Sequence, residues 1–324
     1  MATLHTIAKR YPSSVITFEI KRSMTPSDIA AVTGLLSVVE SADSHRPLND
    51  HLRIDLRHGG RTGFAGLIAW ETNGANPVAY CQVSRGNDSW ALGLVVDPNH
   101  RNETLELGAA LLGEAVEIIG TEGGGHVHWW VSDPAPEHDE LANKINLHAG
   151  RSLLQMHVSL PLAQQVLAAT KQIATQSFRV GIDEDSWLTV NNRAFANHPE
   201  QGDWTIETLM SRVNESWFNA SGMLLHYVDQ PSHQLAGFCW TKLDKLSDPH
   251  LGEIYIIAVD PDHRNMGLGR SLTVAGLNYL TAAGATKGML FVDKDNAVAI
   301  ATYLKLGFAI HHQEQAFVGD IASS

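Results

Sequence analysis

Twenty residues, Leu251–Arg270 (LGEIYIIAVDPDHRNMGLGR), constrain this chain more than any other stretch. Glu253–Val259 is rich in Ile, Val and Tyr, side chains that suit a buried strand. Asp260-Pro261-Asp262 then forces a turn, because proline fixes its own φ and restricts the residue before it. Arg264–Gly269 (RNMGLG) is a basic, glycine-containing loop that opens directly into the helical pattern Ser271–Ala283. Such a layout brings loop N–H groups and a helix N-terminus to one point, which suits a phosphate. The spacing is neither the dinucleotide fingerprint GxGxxG nor a P-loop, since no Gly-Lys-Ser/Thr follows. Taken alone it also fits a plain strand-to-helix turn.

The element occurs twice. Gly93–Arg101 (GLVVDPNHR) matches Ile256–Arg264 (IIAVDPDHR) at an offset of 163 residues in a chain of 324. Each copy follows a strand pattern (Val78–Val83; Gln234–Trp240) and precedes an amphipathic helix (Leu105–Ile119; Ser271–Ala283). So long a period marks a duplicated domain, not a solenoid. Strands interleaved with helices and hairpins predict an α+β class: two tandem domains, each a mixed, mostly antiparallel sheet flanked by helices. The expected division is 1–162, an Ala- and Gln-rich linker over 163–177, and 178–324.

Other elements follow from local signals. Helices are expected over Pro26–Ser41, capped by Ser23 or Thr25, and over Glu137–Ala149, Asp183–Ala196, Thr205–Asn214 and Asp295–Leu306, the last stopped by Gly307. Strands are expected at Ile16–Ile20, Phe64–Trp70, His126–Val131, Leu153–Leu160, Met289–Val292 and from Phe308 onward, while Pro47–Gly63 reads as mixed.

Composition narrows the function classes. The formal net charge is −12, which argues against a nucleic-acid binder. No apolar run reaches spanning length, and MATLHTIAKRYPSS lacks a signal-peptide core, so a cytoplasmic protein without membrane partners is expected. Cys81 and Cys239 lie in apolar strands and read as buried, reduced thiols. His126 and His128 share a strand face but lack a third ligand at suitable spacing, so no metal is expected.

A second motif gives the loop its meaning. Asn296–Phe308 (NAVAIATYLKLGF) has the form N-x-x-A-x-x-x-Y-x-x-x-G-F. With V-D-P-x-x-R-x-x-G-L-G it resembles the GNAT acetyltransferases. The resemblance implies acetyl-CoA as co-substrate, with Ile257, Ala258, Val259, Arg264, Asn265, Met266, Gly267, Leu268, Gly269, Arg270 and Asn296, Ala297, Val298, Ala299, Ile300, Ala301 facing it. It also implies a β-bulge in Tyr255–Val259 that frees an N–H for the thioester carbonyl. Tyr303 is then the donor to the departing sulfur, and Glu253 the general base or amine anchor. Without the resemblance, Tyr303 also reads as an aromatic under the Gly307-Phe308 turn, and Glu253 as a strand-end carboxylate.

Within that family, His198–Trp204, Trp240-Thr241-Lys242 and Leu251–Tyr255 are similar to the tandem mycothiol synthases. That likeness implies acetylation of the cysteinyl amine of cysteinyl-glucosaminyl-inositol, with Glu40, Glu200, Lys242, Glu253 and Phe291 facing the acceptor and the protein acting as a monomer. Phe291 stands where the family often has Tyr. Another small amine, such as an aminoglycoside or amino-sugar, and a non-catalytic acetyl-CoA sensor are the alternatives. In the N-terminal copy Thr104 and Glu106 replace Gly267 and Gly269, so catalysis is expected only in the C-terminal half, with weaker CoA binding in the other.

Overall fold

The computed structural model describes all residues except 1–5, 11–14, 72–75, 87–88, 197–200, 229–233 and 245–249, and the side chains of 6–10, 15 and 50. The chain forms two compact units, Met1–Ser152 with Gln313–Ser324, and Leu153–His312.

The first unit contains β1 (Thr6–Arg10), β2 (Val15–Lys21), α1 (Pro26–Asp43), α2 (Asp50–Arg57), β3 (Phe64–Glu71), β4 (Pro77–Arg85), β5 (Ser89–Val96), α3 (Thr104–Thr121), β6 (Gly125–Ser132) and α4 (Pro136–Lys144). Strand β7 (His148–Ser159) runs out of it into the second unit. There follow α5 (Gln164–Ala168), β8 (Gln176–Ser177), α6 (Glu184–Ala194), α7 (Ile206–Val213), β9 (Met223–Val228), β10 (Gln234–Asp244), β11 (Leu251–Val259), α8 (Leu268–Ala282), β12 (Lys287–Asp293), α9 (Ala297–Lys305) and β13 (Ala309–Ile321).

Both sheets follow one plan. In the first unit β1 to β6 are neighbours in order, and Glu314–Ile321 of β13 pairs with β6. In the second unit the order is β8-β9-β10-β11-β12, with Leu153–Ser159 of β7 beyond β12. Among the described residues, the pairs within each unit are antiparallel except β5 with β6 and β11 with β12. The duplicated α+β architecture expected from the repeat is therefore present. Its units differ from linear halves of the sequence: 313–324 completes the first sheet, and 153–162 belongs to the second unit. The stretch 163–177 lies inside the second unit and carries α5 and β8.

Each sheet buries a layer on both faces. On one face of the first, Leu107, Leu111 and Leu112 of α3 pack against Leu67, Val83 and Trp129. On the other, Leu35, Leu52 and Leu56 of α1 and α2 pack against Ile68 and Tyr80. In the second unit Leu272, Leu277 and Leu280 of α8 share a core with Ile254, Leu290 and Met156, while α6 and α7 cover Phe238 and Trp240.

Helix α1 starts at a capping box. Thr25 Oγ1 accepts from Asp28 N (3.2 Å), and Thr25 N donates to Asp28 Oδ2 (2.9 Å). Helix α2 lies in the segment read as mixed, because only Leu52 and Leu56 mark its buried face. The helix expected over Glu137–Ala149 stops at Lys144, since Asn146 takes a left-handed φ of 58° and β7 begins at His148. Among the described residues, no helix is long and apolar enough to cross a membrane.

Phe317 is 1% exposed in the core of the first unit, its ring 5.4 Å from that of Trp129. Phe317→Ala is expected to destabilise that unit by about 3–5 kcal/mol. Hydrogen exchange should show protection lost along β6 and retained along β12; loss along both would contradict the division.

Candidate active site

The site is built where β11 leaves its two neighbours. Against β10 the register runs Gly237↔Val259 to Trp240↔Ile256 and then resumes at Thr241↔Ile254. Tyr255 is the extra residue, a β-bulge that breaks the ladder and re-aims the local backbone. Against β12 the parallel ladder runs only from Leu251↔Lys287 to Ile254↔Leu290. Beyond that point β11 and β12 separate, and the groups of Tyr255–Val259 facing β12 have no partner in that ladder. A slot with polar backbone edges results. The expected bulge is present, at the expected strand.

The loop after β11 makes the second half of the site. Asn265 and Gly267 take left-handed φ values of 63° and 76°. A Cβ on Gly267 would meet nothing, so only the backbone conformation calls for glycine there. Helix α8 has no side-chain cap, and Ser271 N bonds to Gly267 O at 3.2 Å. The N–H groups of Leu268, Gly269 and Arg270 come before that bond and lie at the positive end of the helix, an anion site made of backbone.

Both expected arginines also bond to the protein around the loop. Arg264 Nη2 donates to Ala194 O (3.0 Å), and Arg270 Nε donates to Thr170 Oγ1 (2.9 Å). Arg193 on α6 adds a brace, with Nη1 3.2 Å from the buried Asp260 and Nη2 2.8 Å from Asp262. Asn296, expected beside the cosubstrate, caps α9 by accepting from Ala299 N (3.1 Å). Met266 and Val298 are 73% and 81% exposed, apolar surface on the two expected cosubstrate segments.

Tyr303 packs on the α8 and α9 side of the sheet, in one core with Cys239, Ile254 and Leu290. Its ring lies 5.7 Å from that of Phe308, so it also packs under the Gly307-Phe308 turn. Burial, reinforced by the neighbouring Cys239 sulfur, pushes the phenol up to about 12. A group held there is a proton donor at neutral pH. Cys239 is itself pushed up to about 12 by burial, and both cysteines are buried free thiols.

The opposite face carries the other expected residues. Glu253 is the ladder partner of Lys242 on one side and Met289 on the other, so all three project from the same face. Phe291, two residues along β12, joins them and is 41% exposed. Lys242 Nζ stands 5.1 Å from the centre of the Trp217 ring. Trp217 meets Tyr255 edge-on at 5.0 Å, and Tyr255 meets Trp240 at 5.4 Å. Burial raises the Tyr255 phenol; the positive charge of Arg212 opposes this, while Glu253 and Glu215 add to it. Arg212, Glu215, Trp217 and the Tyr255 ring were not picked from the sequence, because no motif spans α7, the loop after it and β11.

The other two expected acceptor residues lie elsewhere than the second unit's described residues. Glu200 lies outside the described residues. Glu40 sits on α1 of the first unit, 3.7 Å from Arg46 Nε and 3.9 Å from Arg53 Nη1.

The first unit repeats the frame without the site. Its β5–β6 ladder also ends early, at Leu92↔Trp129, but its β4–β5 ladder is unbroken. Counting ladder steps from Val96 and Val259, Ala91 takes the place of Glu253 and Ser84 that of Lys242. Helix α2 closes over this face: Gln82 Nε2 donates to Leu52 O (2.9 Å), and a Cβ on Gly93 would lie 2.6 Å from Leu48. The following loop winds into a 3-10 turn, Pro98–Glu103, with no left-handed residue; Arg101 is bound to Asp43 at 2.6 Å, and Glu106 occupies the first turn of α3.

Comparison with known proteins agrees with this geometry. Residues 186–308 match the model of the acetyltransferase (GNAT) family. A mycothiol acetyltransferase of Acidimicrobium ferrooxidans is 37% identical over 293 residues, covering 90% of this chain and 93% of that protein. One from Thermobispora bispora is 35% identical over 296 residues, covering 90% and 96%. Among solved structures, a GCN5-related N-acetyltransferase from Sphaerobacter thermophilus superposes with a TM-score of 0.69 at 19% identity, covering 94% of this chain and 96% of that one. A tandem GNAT protein from the clavulanic acid biosynthesis pathway superposes with 0.66 at 16% identity, covering 95% and 99%.

The raised Tyr303 phenol is testable directly. In NMR of ring-labelled tyrosine, its resonance, assigned by Tyr303→Phe, should stay in the protonated position at pH about 10, where free tyrosine is half ionised. Titration at that pH would contradict the buried donor.

Proposed function

Since the chain belongs to the mycothiol acetyltransferases within the GNAT family, we propose that its second unit acetylates the cysteinyl amine of cysteinyl-glucosaminyl-inositol, with acetyl-CoA as donor. The observation that carries this reading is the bulge at Tyr255, next to a free slot in the second unit and absent from the first.

The residues present fit acetyl-CoA. The uncapped α8 N-terminus suits a pyrophosphate, and the backbone edge of Tyr255–Val259 suits an amide-bearing arm. Bound there, acetyl-CoA supplies the acetyl group as a thioester. The chain's own groups then divide the work. Glu253, on the acceptor face, takes the proton of the ammonium, directly or through a water, so that a neutral amine attacks. A backbone N–H released by the bulge donates to the carbonyl oxygen as it gains negative charge. Tyr303, behind the slot, is protonated at rest and gives its proton to the sulfur as the C–S bond breaks, and the proton lost by the attacking nitrogen as the amide forms restores the phenol through solvent. Lys242 and Phe291, on the same face as Glu253, contact the rest of the acceptor, and Glu40 and Glu200 are assigned to it through family resemblance. The first unit does no chemistry in this reading, because Ala91 replaces Glu253.

An acetyl-CoA consumption assay over a panel of amines tests the proposal. Turnover is expected with cysteinyl-glucosaminyl-inositol and not with aminoglycosides, and Glu253→Gln or Tyr303→Phe should each lower kcat roughly a hundredfold. Preference for a different amine would refute the acceptor assignment.

Calorimetry tests the asymmetry of the units. One tight acetyl-CoA site per chain is expected. Gly267→Ala forces alanine into a left-handed conformation costing about 1–2 kcal/mol and should weaken that site about tenfold. Two sites of equal affinity would contradict the assignment.

A further inference from the structure

The acceptor face extends past Glu253. Met289, its neighbour on β12, is the ladder partner of His157 on β7, so His157 projects from the same face two strands away, about 10 Å from Glu253. The next row pairs Phe291 with Gln155. Their even-numbered neighbours Met156, Val158, Leu290 and Val292 are buried in the core on the α8 and α9 side, which fixes the direction of this row.

His157 takes no part in the acetyl-transfer steps. Both of its ring nitrogens are buried and make no hydrogen bond among the described residues. Its ring stacks on that of His311, 3.9 Å apart and inclined by 27°. Two orphaned ring nitrogens on one side chain call for a partner that the described residues do not provide.

We infer that His157, stacked on His311 and in one row with Glu253, is a distal subsite of the acceptor cleft that binds a hydroxyl of a neutral polyhydroxylated ring. A neutral imidazole offers one donor and one acceptor, and a hydroxyl can answer either. Burial, with His311, Lys287 and His312 nearby, lowers the His157 pKa to about 4, which keeps the ring neutral under ordinary conditions. The exposed Phe291 ring supplies an apolar platform beside it, suited to the C–H face of a sugar or cyclitol. The span from Glu253 accommodates an amine joined to such a ring through an amide. This assignment rests on the acetyl-transfer reading for the position of the amine, and it adds the group that recognises the far end.

Two probes separate the roles: cysteinyl-glucosaminyl-inositol, and cysteinamide, which has the amine but no ring. His157→Phe keeps an aromatic ring and removes both nitrogens. It is expected to lower kcat/KM for the full acceptor about five- to tenfold, the worth of one hydrogen bond. Turnover of cysteinamide and the KM for acetyl-CoA should not change, and His157→Gln should recover most of the loss. An equal loss on both probes, or no loss on the full acceptor, overturns the assignment. Binding of free glucosaminyl-inositol to the unmodified protein, followed by the imidazole nitrogen resonances of His157, needs no variant and no turnover. A shift supports the subsite even if acetylation of the full acceptor fails; no shift overturns the subsite even if acetylation succeeds.

Discussion

The parallel pair β11 and β12 is joined over four residue pairs and then parts. Opening a sheet from within leaves main-chain donors and acceptors that must be answered by something else. The first unit has the same opening after Leu92↔Trp129, yet the neighbouring face is filled by Leu48 and Leu52, and the buried Tyr80 donates to Gln82, which donates to Leu52 O. In the second unit the bulge at Tyr255, the uncapped helix and the aromatic wall of Trp217 and Trp240 all border the gap. Duplication supplied the frame twice, and the two copies differ in what occupies the opening.

Tyr255 links the two sides of this arrangement. As the inserted residue it disturbs the backbone on which the carbonyl would be polarised, and its ring is wedged edge-on between two tryptophans. The positive charge of Arg212 on α7 acts on its phenol. The geometry of the bulge is thus set partly by α7 and the loop after it, segments with no motif of their own. The braces from α6 to the anion loop, through Arg193 and Arg264, act likewise. Helices that look like mere cover in the sequence hold both reacting ends in place.

The sequence made some of this plain and hid the rest for physical reasons. Asp260-Pro261 and Gly267 restrict the backbone locally, so the strand, turn, loop and helix could be read directly, and Asn296 with Gly307 bounded α9 in the same way. The bulge adds one residue without altering composition, and only family resemblance suggested it. Strand partners are not encoded locally, so nothing in Gln313–Ile321 revealed that it pairs with β6. The row from Lys242 to His157 joins residues from four strands and exists only once register is known. Arg264 and Arg270 were read as facing an anion; their bonds to Ala194 O and Thr170 Oγ1 join distant parts of the chain and could not be read from the sequence.

The exchange of strands between the halves of the sequence also bears on the order in which the chain can fold during synthesis. The second unit is a single continuous stretch, Leu153–His312, and has all its strands once that stretch has left the ribosome. The first unit is translated earlier but lacks the strand that covers β6 until Gln313–Ser324 emerges. Its core, including the place of Phe317 beside Trp129, stays open meanwhile. Vectorial folding normally favours the N-terminal domain. Here the part made first must wait for the part made last.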